Sequence, residues 1–127
     1  MSVRPVRFAV EVSPVGGLHV RGWYSTMNPR GVLCADSVAQ DALTESLVMW
    51  TDDYAAQCGF AANAPVEVLL ALYRRPQPVV GRALFTGSAT PHGVEGLTFD
   101  QVLAVLDRLL AHASPSDLDR QVLAASS

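Results

Sequence analysis

Strict alternation of apolar and polar residues near the N-terminus limits the fold more than any other feature of the chain. Residues 6–24 contain two alternating runs separated by the turn sequence "SPVGG". A period of two is that of a half-buried β-strand, so the pattern predicts a β-hairpin. The register must place both apolar sets on one side of the hairpin. A three-residue loop over residues 15–17 meets this condition and pairs Val12 with Val20 and Glu11 with Arg21.

A long amphipathic helix is predicted next, over residues 36–59. Ser37 and Gln40 have the spacing of a capping box, and Gly59 is a typical C-terminal stop. At 100° per residue, one face collects the apolar side chains Ala39, Ala42, Leu43, Leu47, Trp50 and Tyr54. We therefore expect Trp50 and Tyr54 to pack in the core. The opposite face carries Asp41, Glu45 and Asp52, which we interpret as a solvated acidic surface.

The segment from Asn63 to Thr86 supports two interpretations. Asn63 could cap a helix with Pro65 in its first turn, or Val66–Arg74 and Val79–Thr86 could form two strands around "RPQP". Periodicity does not separate these alternatives for short apolar runs. We favour the two strands, which would place residues 65–75 in a sheet.

The last helix has clear start signals. Thr98 and Gln101 form a second capping box, and Leu97 can pack onto Val102 as a hydrophobic staple. The predicted apolar face consists of Val102, Val105, Leu106, Leu109 and Leu110. A short helical turn is predicted beyond it, over Ser116–Ala124.

Together these elements predict a single α+β domain over residues 1–127. It would have a mostly antiparallel four-stranded sheet and two main helices. The first strands begin near Val6 and Val66, and the helices begin at Ser37 and Thr98. The two spacings are nearly equal, so we also expect a ββα-ββα pseudo-repeat.

Composition argues against several classes of protein. The net charge is −3, and the nine cationic side chains are all arginine, which we interpret as the coding bias of a bacterium or its phage. A nucleic-acid-binding protein usually has a strong basic excess, so no nucleic-acid partner is predicted. The longest apolar run, Val68–Tyr73, is far shorter than the ~20 residues that cross a bilayer. Charges interrupt any apolar stretch at the N-terminus, so we predict a cytoplasmic protein without a membrane partner.

The two cysteines are predicted to be free thiols. The helix predicted between Cys34 and Cys58 would separate its ends by roughly 30 Å. A disulfide requires Cα atoms within about 7 Å. Free thiols agree with a reducing compartment.

The best candidates for chemistry are Cys34 and His92. Cys34 precedes a predicted helix N-terminus, where a thiolate is favoured, but a catalytic thiol also needs a base. His92 lies in the glycine-rich loop 86–97, whose spacing matches no phosphate-binding motif. These residues define an alternative in which a small enzyme or small-molecule-binding protein uses a pocket near the loop and Cys34. No cofactor and no metal site are predicted, because the carboxylates of the predicted helix do not converge.

The best candidate for partner binding is the polar face of the first hairpin. Trp23 lies there beside Arg7 and Arg21, and an exposed tryptophan flanked by arginines is typical of interface hot spots. The alternative is that a helix or loop covers this face. Residues 1–30 contain four arginines and one carboxylate, a balance of +3, whereas residues 31–59 contain five carboxylates and no arginine, a balance of −5. Such asymmetry suits self-association or a charged partner. The sequence thus favours a homodimeric protein-protein interaction module that binds a partner protein and does not catalyse a reaction.

Overall fold

The predicted α+β class is confirmed in the computed structural model, which describes residues 7–24 and 26–111. These residues form a five-stranded antiparallel sheet, a two-stranded ribbon and three helices. The strands are β1 (Phe8–Val12), β2 (Leu18–Gly22), β3 (Val38–Thr44), β4 (Leu47–Asp52), β5 (Ala83–Thr86), β6 (Ala89–Thr90) and β7 (Gly93–Val94). The helices are α1 (Pro29–Leu33), α2 (Ala64–Leu72) and α3 (Phe99–Ala111). The large sheet has the order β2-β1-β5-β4-β3, so β2 and β3 are its edges.

The two faces of the large sheet are covered unequally. One face packs against α2 and α3 and forms the larger apolar cluster, which includes Val10, Val12, Met49 and Phe85. The other face is covered by α1 and by the segment that contains β7. It forms a smaller cluster of Ala9, Trp23, Leu33, Val48, Trp50 and Leu84. The sheet therefore lies between a thick helical layer and a thin layer of loops and one short helix.

The first hairpin forms, but its register differs from the prediction by two residues. Val12 pairs with Leu18 instead of Val20. The Ser13 amide donates to the Gly17 carbonyl at 2.9 Å, and the Gly17 amide donates to the Ser13 hydroxyl at 2.9 Å, which closes the loop earlier. The positive φ of 85° falls at Gly16, and not at Gly17. A shift of two residues keeps every side chain on its face, so the predicted apolar face is retained.

The predicted helix over residues 36–59 is wrong, because this segment forms the β3-β4 hairpin. Gln40 pairs with Trp50, and the Ser46 amide donates to the Thr44 hydroxyl in the turn. β4 is buried on both faces, and a strand covered on both faces has a nearly continuous apolar sequence. Such a run satisfies helical spacing by coincidence. Trp50 is buried as predicted, whereas Tyr54 follows the strand and is 51% exposed, so its predicted core position is wrong.

The strand predicted over Val66–Arg74 is also wrong, and the alternative capped helix is the one that forms. Asn63 is fully buried at the N-cap of α2, where its Oδ1 accepts from the Val66 amide. Its Nδ2 donates to the carbonyls of Val12 and Gly81 at 3.0 and 2.9 Å. The buried cap thus fixes the helix start against β1. The ββα-ββα pseudo-repeat is not confirmed. It required a strand beginning near Val66 as the counterpart of the first strand, and helix α2 occupies that position.

The start of α3 is as predicted. The Thr98 amide donates to the Gln101 side chain at 2.8 Å, and the Gln101 amide donates to the Thr98 hydroxyl at 3.2 Å. Leu97 and Val102 are both buried in the larger cluster. Of the predicted apolar face, Leu110 alone is exposed. The helical turn predicted over Ser116–Ala124 lies outside the described residues.

Candidate functional site

Trp23 does not form the exposed hot spot that the sequence suggested. Its side chain is only 3% exposed and belongs to the smaller apolar cluster. Its indole Nε1 donates to the carbonyl of Val94 at 2.9 Å. The segment containing β7 and helix α1 cover the face on which Trp23 lies, and local alternation does not reveal such a cover. Trp23 is therefore a core residue.

The two arginines that were predicted to lie beside Trp23 on the hairpin also do not form an open surface with it. Arg21 Nη2 lies 2.9 Å from Glu11 Oε1, and Arg82 Nη1 lies 2.8 Å from Glu11 Oε2. Arg82 Nη2 also donates to the Leu33 carbonyl at 3.0 Å, which ties the sheet to the end of α1. Arg7 is exposed, and its carbonyl accepts from the Trp23 amide. Arg21 therefore serves an internal charge cluster.

Cys34 and His92 are not brought together in a pocket. Cys34 caps the C-terminus of α1 with φ of 53°. The prediction that it precedes a helix N-terminus is therefore wrong. His92 is exposed in the turn between β6 and β7, where its amide donates to the Thr90 hydroxyl. Neither residue lines either of the two clefts beside β3, one of which adjoins Ala39, Asp41 and Met49 and the other Asp41 and residues 74–77. Cys34 and Cys58 are both free, as predicted, although the helix used in that argument is absent; both are also exposed.

A cleft of about 470 Å³ lies beside the β3 edge of the sheet. Ala39 and Asp41 of β3 and Met49 of β4 line it on the side of the sheet that carries α2. The segment 77–80 and the residues that follow β4 complete its walls. The described residues contain no group of three or more His, Cys, Asp or Glu side chains that could hold a metal ion.

Asp41 fixes one wall of this cleft. Its Oδ1 accepts from Arg75 Nε at 3.2 Å and from Arg75 Nη2 at 3.1 Å, and its Oδ2 accepts from Gln77. The bidentate contact restricts both side chains, since a guanidinium and a carboxylate match in plane and spacing. The chain after α2 is thereby held against β3, across a separation of 34 residues in sequence.

Two further carboxylates give the cleft a negative charge. Asp52 Oδ1 accepts from the Tyr54 amide at 2.9 Å, and Asp53 Oδ2 accepts from the Ser37 hydroxyl at 3.1 Å. Among the described residues, no cation forms an ion pair with either one. They lie at the end of β4, the strand that pairs with β3.

The backbone of β3 adds a second feature to this region. The Asp53 amide donates to the Ser37 carbonyl at 3.0 Å, which fixes which residues of β3 face β4. By the alternation of an antiparallel ladder, the N–H and C=O groups of Val38, Gln40 and Ala42 point away from β4. Within the described part of the chain no strand lies on that side. The cleft is thus bordered by an open sheet edge.

Sequence reasoning missed this site because it assigned β3 to a helix. The available signal was the polar stretch Thr44-Glu45-Ser46, of which Glu45 and Ser46 form the turn between β3 and β4. No protein family, curated protein or solved structure matches this chain. Among the described residues, every helix is too short or too polar to cross a membrane.

Proposed function

We propose that this protein is a small interaction module that binds an extended segment of a partner protein along the β3 edge. The observation that carries the proposal is the combination of an open edge and an adjoining cleft. Addition of a strand to a sheet edge supplies affinity through backbone hydrogen bonds, and pockets for alternate side chains supply specificity. Here the backbone groups of Val38, Gln40 and Ala42 would provide those hydrogen bonds.

The charge of the site selects the chemistry of the partner. In the bound segment, one residue would pair with Gln40. The side chains of the residues before and after it would lie beside Ala39 and Asp41, on the cleft side of the sheet. Asp52 and Asp53 stand nearby with no cationic partner among the described residues. Residues 31–59 carry five carboxylates and no arginine. We therefore expect a partner segment with cationic side chains at alternate positions.

The alternative of a small enzyme has less support. The cleft contains neither Cys34 nor His92, and its lining includes carboxylates but no cysteine, histidine or serine. A pocket that encloses a small molecule is usually concave and mostly apolar, whereas three carboxylates and two glutamine side chains are among the residues that line this cleft. We place the module in the cytoplasm, a proposal supported by two exposed free thiols.

A synthetic peptide tests the proposal directly. The probe is a short peptide of alternating arginine and threonine, and the control peptide has glutamate in place of arginine. In a titration followed by amide NMR spectra, the arginine peptide should shift the signals of Val38, Gln40 and Ala42 most. The glutamate peptide should leave them unchanged. Equal shifts with both peptides, or shifts centred elsewhere, would contradict the proposal.

A proline substitution tests the edge itself. In Gln40→Pro, an outward N–H is lost and the ring blocks the edge, while the hydrogen bonds to β4 remain. Binding of the arginine peptide should fall by about thirtyfold or more, as for loss of an interface hot spot. The matched control is Val20→Pro on the other edge, which should bind the peptide normally. Retained binding by Gln40→Pro would place the peptide elsewhere.

A further inference from the structure

The second edge of the sheet adjoins an exposed apolar surface. Phe99, Leu103 and Leu110 lie along one stripe of α3 and are 60%, 47% and 43% exposed. Val20 of β2 is 40% exposed and lies on the same side of the sheet as α3. We call these four residues the α3–β2 face. Single exposed apolar residues are ordinary, but several on adjoining elements mark an interaction surface.

Contacts at the start of α3 place the stripe beside β2. The Phe99 ring packs on the Phe8 ring with centroids 6.1 Å apart. Across the β1-β2 ladder, Phe8 pairs with Gly22, which has no side chain to cover the two rings. On the other side of α3, Arg108 lies over the ring of Tyr73, 4.7 Å from its centroid. The exposed stripe therefore faces away from α2 and towards the β2 edge.

The backbone of β2 is also open. The Trp23 amide donates to the Arg7 carbonyl and the Ser13 amide donates to the Gly17 carbonyl, so odd-numbered residues of β2 bond to β1. The N–H and C=O groups of Leu18, Val20 and Gly22 consequently point outward. Within the described residues no strand pairs with them. β2 contains neither lysine nor proline, two residues that commonly protect an edge.

We infer that the α3–β2 face binds a second copy of this chain by antiparallel pairing of the two β2 strands about a two-fold axis. With the axis at Val20, that residue pairs with the partner's Val20, and Leu18 pairs with the partner's Gly22. All three outward-facing residues then fall in hydrogen-bonded pairs. The α3 stripes of both copies lie on the same side of the continuous sheet and cover each other's apolar side chains.

The charges of the two edges favour this arrangement over the other pairings. At β2, the cation of Arg21 is already paired with Glu11 of its own chain, so two β2 strands can meet without opposing free charges. Two β3 strands would bring together two segments of charge −5. A β2-to-β3 pairing is heterologous and would continue as an open-ended series of copies. The β2 pairing closes on itself.

The available area suits a dimer. A specific interface removes roughly 800 Å² from each partner. The side chains of the α3–β2 face would contribute roughly half of this area. The outward backbone of β2 and the flanking residues would add the rest. This surface lies on the opposite edge from the proposed peptide site, so the two proposals stand independently.

The mass of the protein in solution tests the inference. Sedimentation equilibrium in the micromolar range should give twice the chain mass of 13.6 kDa. Val20→Pro and Leu103→Glu should each raise the dimer dissociation constant about thirtyfold or more, since they act at the centre of the interface. Gln40→Pro, on the other edge, should remain dimeric. Circular dichroism verifies that each variant is folded. If Val20→Pro does not fold, Leu103→Glu still tests the interface, because Leu103 is at an exposed helix position.

Two outcomes would overturn the inference. The unaltered protein could sediment as a monomer throughout the micromolar range. Alternatively, a folded Leu103→Glu or Val20→Pro variant could retain the dimer, which would place the contact elsewhere. Failure of the unaltered protein to bind the arginine peptide, with its dimer intact, would contradict only the proposed function, so the two failures are distinguishable.

Discussion

Trp50 shows how a residue typical of binding sites is used for structure. Its indole Nε1 donates to the hydroxyl of Thr86 at 2.8 Å, and that hydroxyl donates to the Gly87 carbonyl at 3.0 Å. Both Trp50 and Thr86 are buried. Every polar atom of this chain of hydrogen bonds thus has a partner, which a large aromatic residue with an N–H requires when it is buried.

Substitution of Trp50 by Phe should separate packing from hydrogen bonding. The smaller ring keeps most of the apolar contact but leaves the buried Thr86 oxygen without its donor. We expect the free energy of unfolding to fall by about 1–3 kcal/mol in urea melts. Tyr54→Phe, at an exposed ring, is the control and should change it by less than about 0.5 kcal/mol. A similar small change in Trp50→Phe would mean that the indole hydrogen bond contributes nothing to stability.

The carboxylate of Glu11 joins elements that are distant in sequence. It is buried between Arg21 of β2 and Arg82, which precedes β5, and Arg82 also reaches the end of α1. Two guanidinium groups share one carboxylate, so the charge of Glu11 is fully compensated. Arg21 was predicted to lie on an exposed face, but its ion pair with Glu11 holds it against the sheet.

At the scale of elements, the start of α2 depends on an amide and not merely on a capping oxygen. The Asn63 side chain accepts from the helix through Oδ1 and donates to two carbonyls through Nδ2. Asn63→Asp keeps the capping acceptor but turns a buried carboxylate towards those two carbonyl oxygens. We expect a loss of about 2–4 kcal/mol in the free energy of unfolding.

A second N-cap in the chain provides the control for this substitution. Asn28 caps α1 by accepting from the Arg30 amide at 2.9 Å, and it is exposed. Aspartate and asparagine are equally good caps, so Asn28→Asp should change stability by less than about 0.5 kcal/mol. Comparable losses in the two variants would show that the donated hydrogen bonds of Asn63 are not the cause.

The elements differ in how much of them local sequence could predict. The capping box at Thr98 involves residues three apart, so sequence alone identified the start of α3. The β1-β2 hairpin was predicted from alternation, but its register depended on a hydrogen bond of Ser13 to Gly17. The β3-β4 hairpin was mistaken for a helix, because burial of β4 on both faces comes from tertiary contacts. That error also concealed the open edge and the cleft that form the candidate site.

At the scale of the whole molecule, the two sheet edges differ in character. The β2 edge adjoins apolar side chains of α3, and its arginine is neutralised internally. The β3 edge adjoins a cleft with carboxylates. The two edges therefore differ in charge, since the β3 edge has carboxylates nearby and the arginine of the β2 edge is paired with Glu11. This difference favours a division in which one edge meets a second copy and the other meets a cationic segment.

The unequal layers on the two faces of the sheet have a consequence for spectroscopy. The chain has two tryptophans, and both belong to the cluster beneath the thin layer. Most of the helical residues described belong to α2 and α3, which cover the other face. Intrinsic fluorescence and far-ultraviolet circular dichroism therefore report on opposite sides of the same sheet.

These two signals can show whether the two layers that cover the sheet unfold at the same urea concentration. A cover made of loops and a five-residue helix belongs to the part of a structure that opens most easily. In a urea titration the fluorescence midpoint should therefore come at a lower concentration than the midpoint of the helical signal. Coincident midpoints would instead show that the sheet and both its covers unfold in a single cooperative step. Each tryptophan is thus a built-in optical reporter for the weaker side of the protein.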